Sequence, residues 1–99
     1  MHLFYAQIIM APDRVAIIIR EVPGHAEPLK ALVSRSKTVA ELMAWVRVHV
    51  KMDSKKAIFM FINGTLPANS ATIGSVWDEH RCPDDGRLYI TLKLENTFG

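Results

Sequence analysis

The segment from residue 38 to residue 50 constrains the fold most, because it predicts one amphipathic helix with a defined start. Thr38 and Glu41 form the Thr-x-x-Glu pattern of a capping box, which satisfies two backbone N–H groups at a helix start. The helix is predicted to run from Val39 to Val50. One buried stripe is predicted on it, and Val46 is expected to face the strand that follows; the stripe comprises Val39, Met43, Val46 and Val50.

Segments typical of strands flank this helix on both sides. Val15 to Ile19 is rich in β-branched residues, and Leu29 to Val33 is predicted to return as the second strand of a hairpin. Residues 57–62 are apolar at every position, which predicts a strand that is covered on both faces or central in the sheet. A short helix from Ser75 to His80 and a last strand from Leu88 to Leu92 complete the prediction.

This order of elements predicts the fold class. A helix between strands of one sheet must pack on a face of that sheet. The chain has 99 residues, which is enough for one domain. We therefore predict an α+β fold of the β-grasp, ubiquitin-like architecture, with a mixed four-stranded sheet packed by one main helix and a short helix. At the N-terminus, Phe4 and Ile8 have helical spacing, whereas residues 3–9 also fit a strand.

Composition excludes several classes of function. The formal net charge is +2 and the basic residues are scattered, so no nucleic-acid partner is predicted. No stretch approaches the ~20 apolar residues of a membrane-spanning helix. Residues 1–10 are apolar but lack the basic start and the small-residue cleavage site of a signal peptide. Cys82 is the single cysteine, so an internal disulfide is impossible, and a reducing compartment, the cytosol or the nucleus, fits best.

No catalytic, metal or cofactor site is predicted from the titratable residues. The four histidines are far apart and do not form a spacing such as His-x-x-x-His. His80 and Cys82 are close in sequence, but a nucleophile pair needs side chains within hydrogen-bond reach, and proximity in sequence does not supply that. A glycine-rich phosphate loop is also missing. We therefore predict that the protein is not an enzyme.

The sequence ends in Phe98 and Gly99. A C-terminal glycine has a physical use, because a residue without Cβ is the least hindered acyl donor when its carboxylate is passed between enzyme cysteines. On its own, a C-terminal glycine is also explained by chance or by trimming of the chain.

From residue 12 to residue 99, the chain resembles the autophagy ubiquitin-like modifiers of the GABARAP and light-chain-three family. The matching blocks have the family's order and spacing, and they are Pro12-Asp13-Arg14-Val15, Lys56-Ala57-Ile58-Phe59-Met60-Phe61-Ile62-Asn63, Leu66-Pro67, Ser70-Ala71-Thr72-Ile73-Gly74, Asp78-Glu79-His80, Asp85-Gly86-Arg87-Leu88-Tyr89-Ile90 and Glu95-Asn96-Thr97-Phe98-Gly99. The family usually carries two short helices before the first block, and only eleven residues precede Pro12 here, so we expect a truncated N-terminal helical extension. The resemblance implies a short N-terminal segment (1–11), a ubiquitin-like domain (12–94) and a flexible conjugation tail (95–99).

The resemblance also implies a function for the tail. Gly99 would be linked to phosphatidylethanolamine by ubiquitin-activating-type and conjugating-type enzymes. Phe98 would be recognised by these enzymes and by a processing and deconjugating cysteine protease. The modifier would be cytoplasmic, would join the autophagosome membrane once lipid-conjugated, and would recruit cargo receptors there. Two alternatives stay open, namely a sister autophagy modifier joined to a protein lysine and a non-conjugated ubiquitin-like binding module.

A peptide groove along the second strand is implied as well. In the family, an aromatic-x-x-aliphatic peptide adds a strand to this edge, and its two anchors enter two apolar pockets. By position, the edge is Lys30-Ala31-Leu32-Val33; the first pocket comprises Ile18, Lys30 and Leu32, and the second comprises Val33, Leu42 and Trp45. Alternatively, Leu42 and Trp45 simply widen the core face of the helix.

Four positions of this groove region depart from the family pattern. Ala31 stands where an aromatic residue is usual, Ser34 replaces a proline, and His49 replaces a basic residue. Arg87 stands where phenylalanine is usual, which is expected to place a charge at the rim of the first pocket.

Overall fold

The computed structural model describes residues 13–50 and 56–96. Its six elements, in chain order, are β1 (Arg14–Arg20), β2 (Leu29–Ser34), α1 (Val39–Val50), β3 (Lys56–Phe61), α2 (Ile73–His80) and β4 (Leu88–Asn96). The strands form one sheet of order β2-β1-β4-β3. β1 is antiparallel to β2 and parallel to β4, and β3 is antiparallel to β4. The predicted α+β fold with a mixed four-stranded sheet and two helices is confirmed.

The capping box at the start of α1 is formed as predicted. The Thr38 N–H donates to Glu41 Oε1 at 2.9 Å, and the Glu41 N–H donates to Thr38 Oγ1 at 3.1 Å. The backbone hydrogen bond from Thr38 is the main reason that the pKa of Glu41 lies below its usual value. The helix spans the predicted residues Val39–Val50, and these local contacts define its first turn.

The hydrophobic core lies between the sheet and the two helices. Val46 is fully buried there, as expected of a residue on the inner face of α1. The buried stripe of α1 is Val39, Leu42 and Val46, whereas Met43 and Val50 are half-buried at the margin. The predicted stripe therefore included Met43 in place of Leu42. Leu42 is 4% exposed and belongs to the core cluster.

β3 lies at an edge of the described sheet, so of the two alternatives predicted for residues 57–62 the central position is wrong. Ile58 and Met60 point into the core, whereas Phe59 and Phe61 are half-buried on the opposite face. Lys93 Nζ lies 5.9 Å from the centroid of the Phe61 ring, in cation–π contact with it. The uninterrupted apolar pattern of β3 thus corresponds to a core face that is buried and an outer face that is partly buried.

β4 is longer than predicted. It continues past Leu92 to Asn96, and its last residues pair with β3 in the register Ala57↔Glu95 and Lys56↔Asn96. Glu95 and Asn96 are therefore strand residues and are not part of a flexible tail, because the start of β3 supplies a backbone partner. The predicted segment 1–11 lies outside the described residues, and so do Thr97, Phe98 and Gly99.

α2 begins two residues before its predicted start. Thr72 is its N-cap, and its hydroxyl oxygen accepts a hydrogen bond from the Ser75 N–H at 3.2 Å. Ile73, Gly74 and Val76 are buried, so the first turn of α2 closes one end of the core.

Candidate functional site

The candidate site is built on β2, which ends the strand order of the sheet. Among the described strands, β2 pairs with β1 alone, so the outer row of its backbone N–H and C=O groups has no described strand against it. Leu32 in this strand is 70% exposed. An edge of this kind can accept an added strand.

The side chains of β2 alternate between two faces. Lys30 and Leu32 pair with Ile18 and Ala16 of β1, on the face that points away from the core. Ala31 and Val33 pair with Ile17 and Val15 on the core face. The strand therefore separates two faces, one that points toward the core and one that points away from it.

The larger cavity, of about 430 Å³, lies between β2 and α1. Its lining residues are Arg14, Ala31, Leu32, Val33, Ser34, Lys37, Glu41, Leu42 and Trp45. The Trp45 side chain is 41% exposed, and its ring stacks on His49 with centroids 4.6 Å apart and an angle of 18° between the planes. Lys37 Nζ lies 4.0 Å from Glu41 Oε2, so charges of both signs stand at the rim of an apolar space.

The smaller cavity, of about 230 Å³, lies on the other face of β2. It is lined by Ala16, Ile17, Ile18, Lys30, Ala31, Leu32 and Arg87. Two of these residues are cationic and none is acidic. The Arg87 N–H donates to Asp85 Oδ1 at 2.9 Å, so the loop before β4 positions Arg87 against the cavity. Its apolar walls suit a ring or an aliphatic side chain, and its charges favour a negative neighbour.

All seven residues that were expected to form the peptide groove come together around β2. Ile18, Lys30 and Leu32 line the smaller cavity, and Val33, Leu42 and Trp45 line the larger one. Ala31 and Leu32 line both cavities. Leu42 also belongs to the core, so it packs against the core and lines the larger cavity at the same time.

Three charged residues of the larger cavity were not predicted for the site. Lys37 and Glu41 have the i,i+4 spacing of a helical ion pair, which was the available signal in the sequence. Arg14 had no such signal, because only the pairing of β1 with Ser34 places it at the end of β2.

The residues that could carry other chemistry have different partners. His80 Nδ1 lies 3.1 Å from the side-chain amide nitrogen Nδ2 of Asn63, within hydrogen-bond distance. The Cys82 N–H donates to the Arg87 carbonyl at 2.8 Å, and its carbonyl accepts from the Gly86 N–H at 2.8 Å. Within residues 13–50 and 56–96, no three histidine, cysteine or acidic side chains are grouped as for a metal ion. No helix in the same ranges has the length and apolar character to cross a bilayer.

Comparison with known proteins gives one consistent result. The family model described as "Autophagy protein Atg8 ubiquitin like" matches residues 6–99. Autophagy-related protein 8a of Arabidopsis thaliana is 37% identical over 92 residues, which is 89% of this chain and 75% of the relative. Autophagy-related protein 8 of Lodderomyces elongisporus is 40% identical over 91 residues, covering 88% of this chain and 62% of the relative. The crystal structure of Trypanosoma brucei ATG8 superposes with a TM-score of 0.72 at 30% identity, covering 89% of this chain and 78% of that one.

Proposed function

The chain belongs to the Atg8 family of autophagy ubiquitin-like proteins, and on that premise we propose that it is a lipid-conjugated modifier that binds short aromatic-x-x-aliphatic peptides of cargo receptors. The observation that carries the peptide-binding part is the pair of cavities on opposite faces of one edge strand.

The spacing of the two anchors follows from strand geometry. In an extended peptide, residues i and i+3 point to opposite faces, and they are separated by about 10 Å along the strand. A peptide added to the edge of β2 therefore presents one anchor to each cavity. The aromatic anchor enters the smaller cavity beside Ile18 and Leu32, and the aliphatic anchor enters the larger cavity beside Leu42 and Trp45.

The charges around the groove favour acidic residues in the peptide. Lys30 and Arg87 line the smaller cavity, and Arg14 and Lys37 line the larger one with Glu41. Exposed charges of this kind steer association and set orientation more than they add affinity, and salt weakens their effect. We therefore expect the ligands to carry acidic residues next to the aromatic anchor.

The peptide-binding part is tested by titrating the ¹⁵N-labelled protein with an acidic Trp-x-x-Leu peptide. Amide signals of residues 30–33 and of Trp45 should shift. Leu32→Ser should weaken binding at least tenfold, whereas Leu66→Ser, at a leucine that is 56% exposed elsewhere, is the matched control and should bind as wild type. Shifts confined to β3 would show that the groove is assigned to the wrong strand.

For the tail, we infer that Gly99 is joined through an amide bond to phosphatidylethanolamine by activating-type and conjugating-type enzymes. Support comes from the family and from the resemblance of residues 95–99 to the family's tail. Phe98 would be recognised by these enzymes and by a cysteine protease that processes and deconjugates the modifier. One acyl chain binds a membrane only marginally and two anchor it stably, at about 0.8 kcal/mol per buried CH₂. The linkage would thus move a cytoplasmic protein to the autophagosome membrane.

Intact-mass analysis of the protein from conjugation-competent cells tests this assignment. A lipid adduct that disappears in Gly99→Ala, together with loss of the protein from the membrane fraction, is the expected result. An adduct with another protein would favour the sister modifier, and an unmodified mass would favour a non-conjugated binding module. If Gly99→Ala still sediments with membranes like wild type, the apolar residues 1–10 become the better candidate for membrane binding.

A further inference from the structure

We propose that the groove on β2 is occupied by the chain's own residues 5–8, Tyr5-Ala6-Gln7-Ile8, which bind as an added strand and compete with external peptides. The inference rests on the proposed peptide-binding function of the groove and adds an internal ligand to it.

The internal ligand is defined by its sequence. Tyr5 and Ile8 have the aromatic-x-x-aliphatic spacing that the two cavities fit. The surrounding residues 3–9 suit an extended strand as well as a helix, and the first helix-breaking residue of the chain is Pro12. The sequence therefore permits the conformation that an added strand requires.

Asp13, the first described residue, lies next to the groove. The Arg35 N–H, just after β2, donates to the Asp13 carbonyl at 2.9 Å. Arg14 pairs with Ser34 at the end of β2 and also lines the larger cavity. Asp13 and Arg14 thus lie beside the cavity that would take an aliphatic anchor.

The direction and reach of the segment are compatible with docking in the same chain. A segment that runs back from Asp13 along the outer edge of β2 is parallel to β2, with Tyr5 near Lys30 and Ile8 near Val33. A new strand beyond β2 would lie two inter-strand spacings from β1, a distance of about 10 Å. The five steps from Ile8 to Asp13 reach about 17 Å when extended, so the connection is long enough.

The chemistry of each cavity suits its anchor. The smaller cavity offers apolar walls and the cations of Lys30 and Arg87, which can contact both the face and the hydroxyl oxygen of a tyrosine. The larger cavity offers Leu42 and Trp45 to an isoleucine. A short connection gives an effective concentration on the order of 1 mM, so an internal ligand of modest affinity still competes. We expect it to weaken an external peptide about tenfold.

The experiment compares full-length variants by isothermal titration calorimetry with the acidic Trp-x-x-Leu peptide. Tyr5→Ala/Ile8→Ala should bind this probe about tenfold more tightly than wild type, and the signals of residues 31–33 should differ between the two free proteins. The matched control is Phe4→Ala/Ile9→Ala, which removes similar apolar surface outside the anchor spacing and should bind as wild type. A synthetic peptide of residues 1–12 should bind Tyr5→Ala/Ile8→Ala in the same groove.

Each other result overturns the proposal in a recognisable way. Equal affinity of wild type and Tyr5→Ala/Ile8→Ala would refute the internal ligand and leave the peptide-binding function standing. Equal tightening in the control would show that the anchor spacing is irrelevant. A difference that grows with protein concentration would assign the segment to the groove of a second copy. If no variant binds the probe, the proposed peptide-binding function fails together with the inference.

Discussion

Arg35 and Asp78, which are 43 residues apart, meet in a two-point ion pair, with Nη1 at 3.1 Å from Oδ1 and Nη2 at 2.8 Å from Oδ2. The pair ties the residue after β2 to α2. The Arg35 guanidinium also lies 5.8 Å from the Trp77 ring centroid, and Trp77 Nε1 donates to the Gly86 carbonyl at 2.9 Å. A chain of contacts therefore links the end of the groove strand to the loop that carries Arg87.

We predict that Asp78→Asn lowers the thermal midpoint at neutral pH and that the difference from wild type disappears in acid. The hydrogen bonds from Arg35 hold the pKa of Asp78 below the usual 3.8. A carboxylate with a depressed folded pKa stabilises the fold above its unfolded pKa, and this stabilisation is lost as pH falls through the folded pKa. Thermal unfolding at pH 7 and at pH 2 measures the change. Glu79→Gln, at the next residue of α2, is the control, and a difference that persists in acid would contradict the assignment.

Gly74→Ala is expected to destabilise the fold by about 1–3 kcal/mol through overpacking. A Cβ at this position would lie 2.8 Å from the Cβ of Arg35, which is too close for two carbon atoms. Denaturant unfolding of both single variants and of the double variant with Arg35→Gly forms a double-mutant cycle. The cost of Gly74→Ala should fall in the Arg35→Gly background, whereas strictly additive effects would place the strain elsewhere.

The capping box predicts a cost of about 1 kcal/mol for Thr38→Ala, because the Glu41 N–H loses its acceptor. Urea unfolding measures this cost. The same substitution removes the hydroxyl donor to Glu41, so the pKa of Glu41 should rise toward its usual 4.5, as followed by NMR titration of the carboxyl group. An unchanged pKa would show that the backbone N–H of Thr38 alone depresses it.

Two valines of α1 give a matched pair for the core. Val46 is 0% exposed and Val48 is 77% exposed. Val46→Asp buries an unpaired carboxylate, so we expect a loss of several kcal/mol or an unfolded chain. Val48→Asp should stay within about 0.5 kcal/mol of wild type. Thermal unfolding of both variants, followed by circular dichroism, measures the difference. Equal melting temperatures would mean that the buried face of α1 is misassigned.

Arg87 is predicted to set the preference for acidic peptides. Arg87→Leu should weaken an acidic Trp-x-x-Leu peptide by about 1.4-fold to fivefold at low salt, because one exposed ion pair contributes about 0.2–1 kcal/mol. A neutral peptide with the same anchors is the control and should bind at least as well as it binds wild type. Calorimetry at low and high salt should show a smaller salt dependence in the variant. An equal loss for both peptides would mean that Arg87 shapes the cavity without acting through its charge.

Local patterns determined most of the secondary structure. Thr38 and Glu41 are three residues apart, within one helical turn, so their spacing in the sequence was enough to predict the start of α1. The β-branched run of β1 and the bounds of α1 likewise depend on neighbours in sequence. The groove residues were found through the family resemblance, since Leu42 and Trp45 alone also fit a wider core face.

Contacts between distant residues were decided by the tertiary structure alone. The end of β4 at Asn96 depends on a partner at Lys56, and the edge position of β3 depends on which strands meet, so neither is encoded in a local pattern. The pairing of Arg14 with Ser34 brings a cation to one cavity, and the loop before β4 brings Arg87 to the other. Hydrophobic periodicity reports which side of an element is buried, whereas strand order and side-chain neighbours depend on how the elements pack. The sequence by itself therefore determined the elements and the family, and the packing of those elements decided the shape and charge of the groove.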